Sequence, residues 1–438
     1  MKRYALRSRI AGVILACSMV VPGMWAIEVN DDGRALILEA QQAYQSDMQN
    51  RPVVTDAKVH GYADTVVKSL VPKNKTLPAG VRLSTTILES PDPELYSYAD
   101  GHVVMTMGFL YAMENEAQLA GVLAHEVANA VEGYYISMYQ EIKAHERAER
   151  ARAAAGALFG ALLDVAVDYA VDVEGIRQEE KLFRGEQTYG ETMRRMAAVG
   201  AAQSTYYGIK DVIDNVPDKD ENGQWLDPRM RFEVVADAQG MEYTALAGYE
   251  PSESAKGWTN LYRLKSEMIQ KRDQGMGQFA EQMRQMQSLM QINMRRMQQS
   301  LGATGLVQTR NDINPTRAEF VATLVSLQEV QDAVAARKPT KGVAPYRKFL
   351  SDSLLPRAEK AMKDEQYEKA HTAYKTLWEK GLKTAPVAYG MAKCQLGDFA
   401  FGASESEKES AESAYLEAIK LDKRYALPYK GLGELYDD

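Results

Sequence analysis

Cysteine is almost absent, since the 438-residue sequence contains only Cys17 and Cys394. Cys17 lies in an amino-terminal segment that we expect to be removed, which leaves Cys394 alone in the mature chain. A lone cysteine cannot form an internal disulfide, so outside the cytoplasm the fold would depend on its hydrophobic core. With 45% hydrophobic and 26% charged residues, the composition is that of an ordinary globular protein.

Long hydrophobic runs are also lacking after the amino terminus. The best candidate, Ala153 to Val171, is interrupted by Asp164 and Asp168, and its uncharged part is 11 residues long. A membrane-spanning helix needs about 20 apolar residues. We therefore predict a helix of small residues that packs against protein, with an interfacial or re-entrant helix as the alternative.

The first 26 residues carry basic but no acidic side chains. An apolar run from Ile10 to Val21 follows the basic residues, and the chain turns polar at Glu28. This order predicts a secretory signal peptide over residues 1–26, cleaved after Ala26. The residues that lead to Cys17 also form an imperfect lipobox, so the alternative is a lipoprotein whose membrane contact is the lipid at Cys17.

Excess positive charge is lacking in the mature chain. Removal of residues 1–26 takes four of the 52 basic residues and none of the 60 acidic ones, which leaves a net charge of −12. Such a surface repels a phosphate backbone, so we expect no nucleic-acid partner.

Histidine is scarce, and one of the five histidines begins a recognisable motif. The sequence from His125 to Asn129 is HEVAN, which differs at one position from the zinc-binding pattern H-E-x-x-H. Residues four apart on a helix share a face, so two imidazoles can reach one metal while the glutamate between them polarises a bound water. His125 is therefore a candidate ligand and Glu126 a candidate general base, with Asn129 in the position of the second ligand.

The surroundings of HEVAN predict a helix buried along one side. Asn115 can cap its start, and Gln118 can complete a capping box. Apolar residues then recur at helical spacing at Leu119, Val122, Leu123, Val127 and Val131. Two segments that precede this helix, Val81–Leu88 and His102–Met107, are typical of strands.

A second helix is predicted from near Met230 to Gly248. Its sequence EVVAD places Glu233 and Asp237 four residues apart. Glu233 could supply a further metal ligand, and Asp237 could orient an imidazole.

Asn129 weakens the predicted metal site. A carboxamide oxygen is a neutral, weak ligand, whereas zinc prefers imidazole or thiolate. His102, on the strand that should run near the helix, is the candidate replacement ligand; the alternative is an exposed strand residue. We therefore expect at most one weak zinc site, formed by His125, Asn129 and Glu233.

Two further patterns lie in the carboxyl-terminal half of the chain. Methionine and Phe279 form one apolar stripe on a predicted Gln-rich helix over 276–301. We interpret the stripe as a packing face, with a pliable surface for apolar partners as the alternative.

Further on, Tyr367, Ala370 and Tyr374 fit the second helix of a tetratricopeptide repeat, and a related pattern follows from Tyr389 onward.

Taken together, these segments resemble the gluzincin family of the CAAX prenyl proteases and the heat-shock membrane protease. The resemblance rests on LYSYADGHVVMTMGFLYAMENEAQLAGVLAHEVANAVEG and RMRFEVVADAQGMEYTALAGYEP and covers roughly residues 35 to 335. With the signal peptide and the repeats, the chain is most similar to the periplasmic β-barrel assembly-enhancing proteases.

The resemblance implies an α+β fold, in which a mainly helical peptidase domain with a small sheet covers 27–338 and an all-α tetratricopeptide-repeat domain covers 339–438. It implies that His125 and Glu233 bind zinc, that Glu126 is the catalytic base, and that Asp237 orients a ligand. It also implies that the strand His102–Met107 is the edge to which a substrate strand adds. Asn314 stands where the family usually carries a histidine before a proline.

The implied activity is a periplasmic zinc endopeptidase that degrades misassembled outer-membrane proteins, with repeats that bind clients or the assembly machinery. Because Asn129 and Asn314 replace two histidines, we favour a pseudoprotease that binds unfolded or misassembled envelope proteins. The alternative is an active zinc metalloendopeptidase, for which Glu126, Glu233 and Asp237 are all present. A scaffold that uses only the repeats fits less well. Its amino-terminal domain would have no task, and such a domain would have little reason to carry EVVAD in register with HE.

Overall fold

The computed structural model describes residues 27–160, 228–270, 308–310, 315–397 and 404–437. The predicted signal peptide with Cys17, the methionine-rich helix at 276–301, Asn314 and most of the apolar stretch that ends at Val171 lie outside these residues. None of the described helices is long and apolar enough to cross a membrane.

The amino-terminal part mixes helices with short strands. Its elements in chain order are α1 (Asp31–Met48), α2 (Ala57–Ser69), β1 (Ser84–Leu88), β2 (Leu95–Tyr98), β3 (His102–Thr106), α3 (Met107–Ala112), α4 (Glu116–Glu132), α5 (Tyr134–Gly160), α6 (Pro228–Leu246), a helix α7 over 253–270, and β4 (Gln308–Arg310). The described residues thus form a mainly helical α+β structure with a small sheet.

The sheet has the strand order β1-β3-β2-β4. β3 pairs in parallel with β1 and antiparallel with β2, so it lies in the interior of the sheet. The expectation that the strand at 102–107 is an edge for an added strand is therefore wrong. The missing information was β2, which was not predicted and which occupies the side of β3 opposite β1.

Both faces of this sheet are buried. On β2 and β3, the side chains of Leu95, Val103 and Met105 face the core that α2 and α4 share. Tyr96 and Val104 point the other way, into a second core formed with α1 and α5. Successive residues of a strand point to opposite faces of the sheet. Only strand residues on the face of Leu95, Val103 and Met105 can therefore reach α4.

α4 carries the HEVAN sequence through the middle of the larger core. The side chain of Asn115 caps it by accepting from the backbone N–H of Gln118 at 3.0 Å, as predicted. Gln118 itself accepts from the N–H of Glu114 rather than of Asn115, so the predicted capping box is not formed. Gly133 ends the helix with a φ of 65°, a left-handed conformation that glycine adopts at little cost.

Two neighbouring helices approach α4 closely through small residues. A Cβ at Gly240 of α6 would lie 2.9 Å from the backbone of Ala124 and His125. A Cβ at Gly121 of α4 would meet the side chain of Ser254 on α7. The contact at Gly240 brings α6 next to the HEVAN sequence, which sets the distance from His125 to the acidic side chains of α6.

Of the remaining helices, the first two pack against α6, and from the third onward each packs against the next. They are α8 (Pro315–Leu324), α9 (Gln328–Arg337), α10 (Val343–Lys363), α11 (Tyr367–Glu379), α12 (Ala385–Gly397), α13 (Glu405–Leu421) and α14 (Leu427–Asp437). α10 continues the main core, and Tyr346 donates from its hydroxyl to the carbonyls of Leu110 and Met113 at 2.8 and 2.7 Å. The assignment of the last helices to tetratricopeptide repeats stays a prediction.

Candidate active site

The structure brings the two predicted halves of the site together. α4 presents His125, and α6 presents Glu233 and Asp237 opposite it. Asp237 Oδ1 lies 2.8 Å from His125 Nδ1, and Glu233 Oε2 lies 3.2 Å from His125 Nε2. Both ring nitrogens of the buried imidazole are therefore in contact with a carboxylate of α6.

Glu126 and Asn129 form a second hydrogen-bonded group on the same helix. The carboxylate of Glu126 accepts from the hydroxyls of Ser97 on β2 and Tyr135 on α5, the latter at 3.2 Å. Asn129 Nδ2 donates to the same Tyr135 hydroxyl at 3.0 Å. Tyr135 thus joins the candidate base to the residue that stands in the second ligand position.

Arg317, on α8, completes the group around His125. Its Nη2 lies 2.6 Å from Asp237 Oδ1 and 2.8 Å from His125 Nδ1, and its Nε donates to Asp237 Oδ2 at 3.1 Å. The same Nη2 is 3.8 Å from Glu233 Oε2. The guanidinium also stacks on the ring of Trp258 from α7, 3.9 Å from the ring centroid.

Opposite charges govern the electrostatics of this cluster. Burial and the nearby Arg317 both lower the pKa of His125, but the carboxylates of Glu233 and Asp237 outweigh them and raise that pKa to about 9. Burial raises the pKa of Asp237, but Arg317 and His125 lower it to about 2. At neutral pH, His125 is therefore protonated and Asp237 is ionised, so a metal would have to displace the His125 proton.

His102 does not reach this cluster. His102 is two residues from Val104 on β3, so its side chain lies on the face of Tyr96 and Val104. Ser97 points to the opposite face, where Glu126 lies. Its ring stacks on Tyr44 of α1, and its Nδ1 is 2.7 Å from Asp100 Oδ2. The hypothesis that His102 replaces the missing ligand is therefore wrong.

The side chains that are present do not fit the expected zinc ion. The 3.2 Å between His125 Nε2 and Glu233 Oε2 suits two ligands of one tetrahedral zinc, whose bonds are about 2.0–2.1 Å. A third imidazole, carboxylate or thiolate ligand is lacking, because Asn129, a weak ligand that donates through Nδ2 to Tyr135, stands in the position of the second histidine. Within the described residues, no group of three His, Cys, Asp or Glu side chains is arranged to hold a metal.

Sequence reasoning missed Arg317, Tyr135, Ser97 and Trp258. One signal for Arg317 was available, because it lies on the apolar stripe of α8, in line with Phe320, Val321 and Leu324 at helical spacing. A single arginine on such a stripe is buried only if it finds partners, and two carboxylates were already predicted nearby.

Comparison with protein families gives a match over part of the chain. Residues 58–166 match the family model of Peptidase family M48, a gluzincin-type zinc metallopeptidase family. The match includes β1 to β3 and the HEVAN sequence and ends before Glu233, Asp237 and Arg317. No curated protein sequence matches the chain.

Proposed function

We propose that this chain, which carries a Peptidase family M48 domain over residues 58–166, binds unfolded or misassembled envelope proteins without cutting them. On this proposal it is a periplasmic pseudoprotease of envelope quality control or outer-membrane protein assembly. Residues 1–26 support export, as a signal peptide or, in the alternative, as the source of a lipid anchor at Cys17.

The hydrogen bond from Asn129 to Tyr135 is the observation that carries the proposal. A working site needs the residue in this position to share a metal with His125, and it needs Glu126 to face a metal-bound water. Here the Asn129 amide and the Glu126 carboxylate both bond to the same tyrosine hydroxyl. The carboxylate that would face the water is therefore bonded to protein hydroxyls, and a weak amide ligand stands where the second imidazole would be.

The carboxyl-terminal helices support a binding role. Several large apolar side chains are exposed there on α13 and α14, among them Leu416, Leu421, Leu427, Tyr429 and Tyr436. Exposed apolar side chains in one region are typical of surfaces that bind other proteins. We propose that these helices, predicted to form tetratricopeptide repeats, bind clients or the outer-membrane assembly machinery.

The proposal is tested by mixing the purified mature chain with an unfolded outer-membrane barrel protein. We expect the barrel protein to stay intact over hours and to be held soluble by the chain, as light scattering would report. The Glu126→Gln variant should behave identically in both respects. Cleavage that disappears in Glu126→Gln or after chelation would overturn the proposal.

The second candidate is an active zinc metalloendopeptidase. It is favoured by the contact of His125 with both Glu233 and Asp237, which is the arrangement expected of a ligand pair and an orienting carboxylate. The same assay decides between the two candidates, since only the peptidase produces fragments whose appearance depends on Glu126 and on added zinc.

A further inference from the structure

We propose that the turn between α13 and α14 binds the surface of a membrane that contains anionic lipids. The name basic turn is used for residues 420–430, which include this turn and the adjoining ends of the two helices. The inference goes beyond the proposed binding of client proteins. It assigns the exposed apolar side chains of the basic turn to lipid and leaves Leu416 and Tyr436 to protein partners.

The basic turn has the opposite charge from the chain as a whole. It contains four basic residues and one acidic residue, which gives a net charge of +3: Lys420, Lys423, Arg424 and Lys430, with Asp422. Residues 405–417, which precede it on α13, carry five acidic residues and one basic residue. The chain without residues 1–26 has a net charge of −12. An anionic surface is therefore repelled by most of the chain and attracted at this turn.

The positive charges of the basic turn are accessible to a partner. Lys423 and Arg424 are exposed, and within the part of the chain that the structure describes neither forms an ion pair. The other two lysines form only exposed pairs with glutamates of their own helices, and such pairs are weak. The carboxylate of Asp422 accepts from the backbone N–H of Arg424 at 2.9 Å, so it orders the turn.

Three large apolar side chains project from the same segment. Leu421, Leu427 and Tyr429 are 41%, 43% and 48% exposed. The Tyr429 hydroxyl donates to the carbonyl of Lys423 at 3.2 Å, which places the tyrosine ring beside a basic residue. Apolar side chains with lysine and arginine around them are typical of segments that lie in a membrane interface, and tyrosine is enriched at the level of the headgroups.

The shape of the basic turn favours a lipid surface over a protein partner. Nine of its eleven residues are exposed, and only Pro428 is buried. Stable protein–protein interfaces bury about 800 Å² on each partner and seat their main side chains in pockets. A short projecting turn presents a small area without a cleft, whereas a fluid headgroup layer can accept single projecting side chains.

The experiment measures the binding of the purified mature chain, residues 27–438, to lipid vesicles by flotation. This chain lacks Cys17, so a lipid anchor at that residue cannot contribute. We expect binding to vesicles made of equal parts of phosphatidylcholine and phosphatidylglycerol, and at least about tenfold weaker binding to pure phosphatidylcholine. Binding to the anionic vesicles should weaken as the salt concentration rises, because salt screens exposed charges.

Substitutions in the basic turn separate the contribution of charge from that of apolar contact. Lys423→Glu combined with Arg424→Glu should weaken binding to the anionic vesicles at least about 25-fold, because each basic residue near an anionic surface contributes roughly fivefold. Leu427→Ser should weaken it roughly tenfold, because one apolar side chain no longer enters the interface.

Each substitution has a matched control outside the basic turn. Lys363→Glu combined with Lys369→Glu reverses two exposed lysines on α10 and α11 and makes the same change in net charge. Leu38→Ser removes a leucine of α1 that is 56% exposed. Both controls should bind the anionic vesicles within about threefold of the wild type, since neither changes the basic turn.

Three results would overturn the inference. The first is equal binding of the wild type to anionic and neutral vesicles, and the second is equal binding of the Lys423→Glu, Arg424→Glu chain and its matched control. The third is capture of the chain by immobilised polyglutamate without any binding to anionic vesicles, which would assign the turn to an acidic protein. Vesicle binding can fail while the chain still keeps an unfolded barrel protein soluble, so this inference and the proposed function fail independently.

Discussion

The guanidinium of Arg317 holds the carboxylate of Asp237 through two hydrogen bonds, from Nη2 to Oδ1 at 2.6 Å and from Nε to Oδ2 at 3.1 Å. Both side chains are almost completely buried, at 0% and 1% exposure. In metal sites, a carboxylate in this position orients an imidazole ligand. Here the Asp237 carboxylate contacts an imidazole and a guanidinium together.

Tyr135 should be a stabilising residue because its hydroxyl joins Asn129 to Glu126. Tyr135→Phe leaves the buried Asn129 amide without this acceptor and removes one donor from the Glu126 carboxylate. We expect the free energy of unfolding to fall by about 1–3 kcal/mol, measured by urea denaturation. The control Tyr262→Phe alters an exposed ring and should change it by less than about 0.5 kcal/mol. Equal stability of the two variants would contradict this assignment.

Gly240 should not tolerate a side chain, because its Cβ would lie 2.9 Å from the backbone of Ala124 and His125. We expect Gly240→Ala to push α6 away from α4 and to cost about 1–3 kcal/mol of stability, measured by urea denaturation. Gly61→Ala is the matched control, since Gly61 is an exposed helical glycine where an added Cβ would meet no atom within 4 Å. Gly61→Ala should stabilise the chain by about 0.5–1 kcal/mol. The same glycine-to-alanine change should therefore raise the free energy of unfolding at one position and lower it at the other. Destabilisation by both, to the same extent, would refute the packing argument.

Glu253 should make stability depend on pH in the acid range. Its buried carboxylate accepts from Asn115, Gln118, Lys256 and Lys341. Burial raises the pKa of Glu253, but these donors lower it from 4.5 to about 2. Because the pKa is lower in the folded state, the stabilisation is complete above pH 4.5 and is lost as the pH falls through about 2.

The measurement for Glu253 compares wild type with Glu253→Gln by urea denaturation from about pH 7 to about pH 2. We expect a difference of about 1–2 kcal/mol at neutral pH, since both lysine partners are largely exposed and solvent screens their pairing. The difference should shrink below pH 4.5. A difference that stays constant over the whole range would mean that the carboxylate does not titrate with a lowered pKa.

Much of this site could be predicted because its signals are local. The cap at Asn115 and the apolar spacing of α4 are visible in the sequence, and so is the four-residue spacing of Glu233 and Asp237. These patterns predicted a buried helix and an acidic helix that face each other, which is the arrangement in the structure.

The parts that were missed depend on pairing over long sequence distances. β2 is only four residues long and is buried on both faces, so it shows no alternation of polar and apolar residues. The family resemblance implies that the strand His102–Met107 is an edge, and without β2 nothing in the sequence contradicts this or excludes His102 from the site. Arg317 is 192 residues from His125, and only the fold shows that the two side chains meet.

Zinc content is the most direct test of the central claim that this site is closed without a metal. The purified mature chain would be equilibrated with buffered zinc, desalted and analysed for metal per chain, beside an Asn129→His variant. The account predicts well under one zinc per wild-type chain, with a higher content in Asn129→His. One tightly held zinc per wild-type chain, lost in a His125→Ala variant, would contradict it.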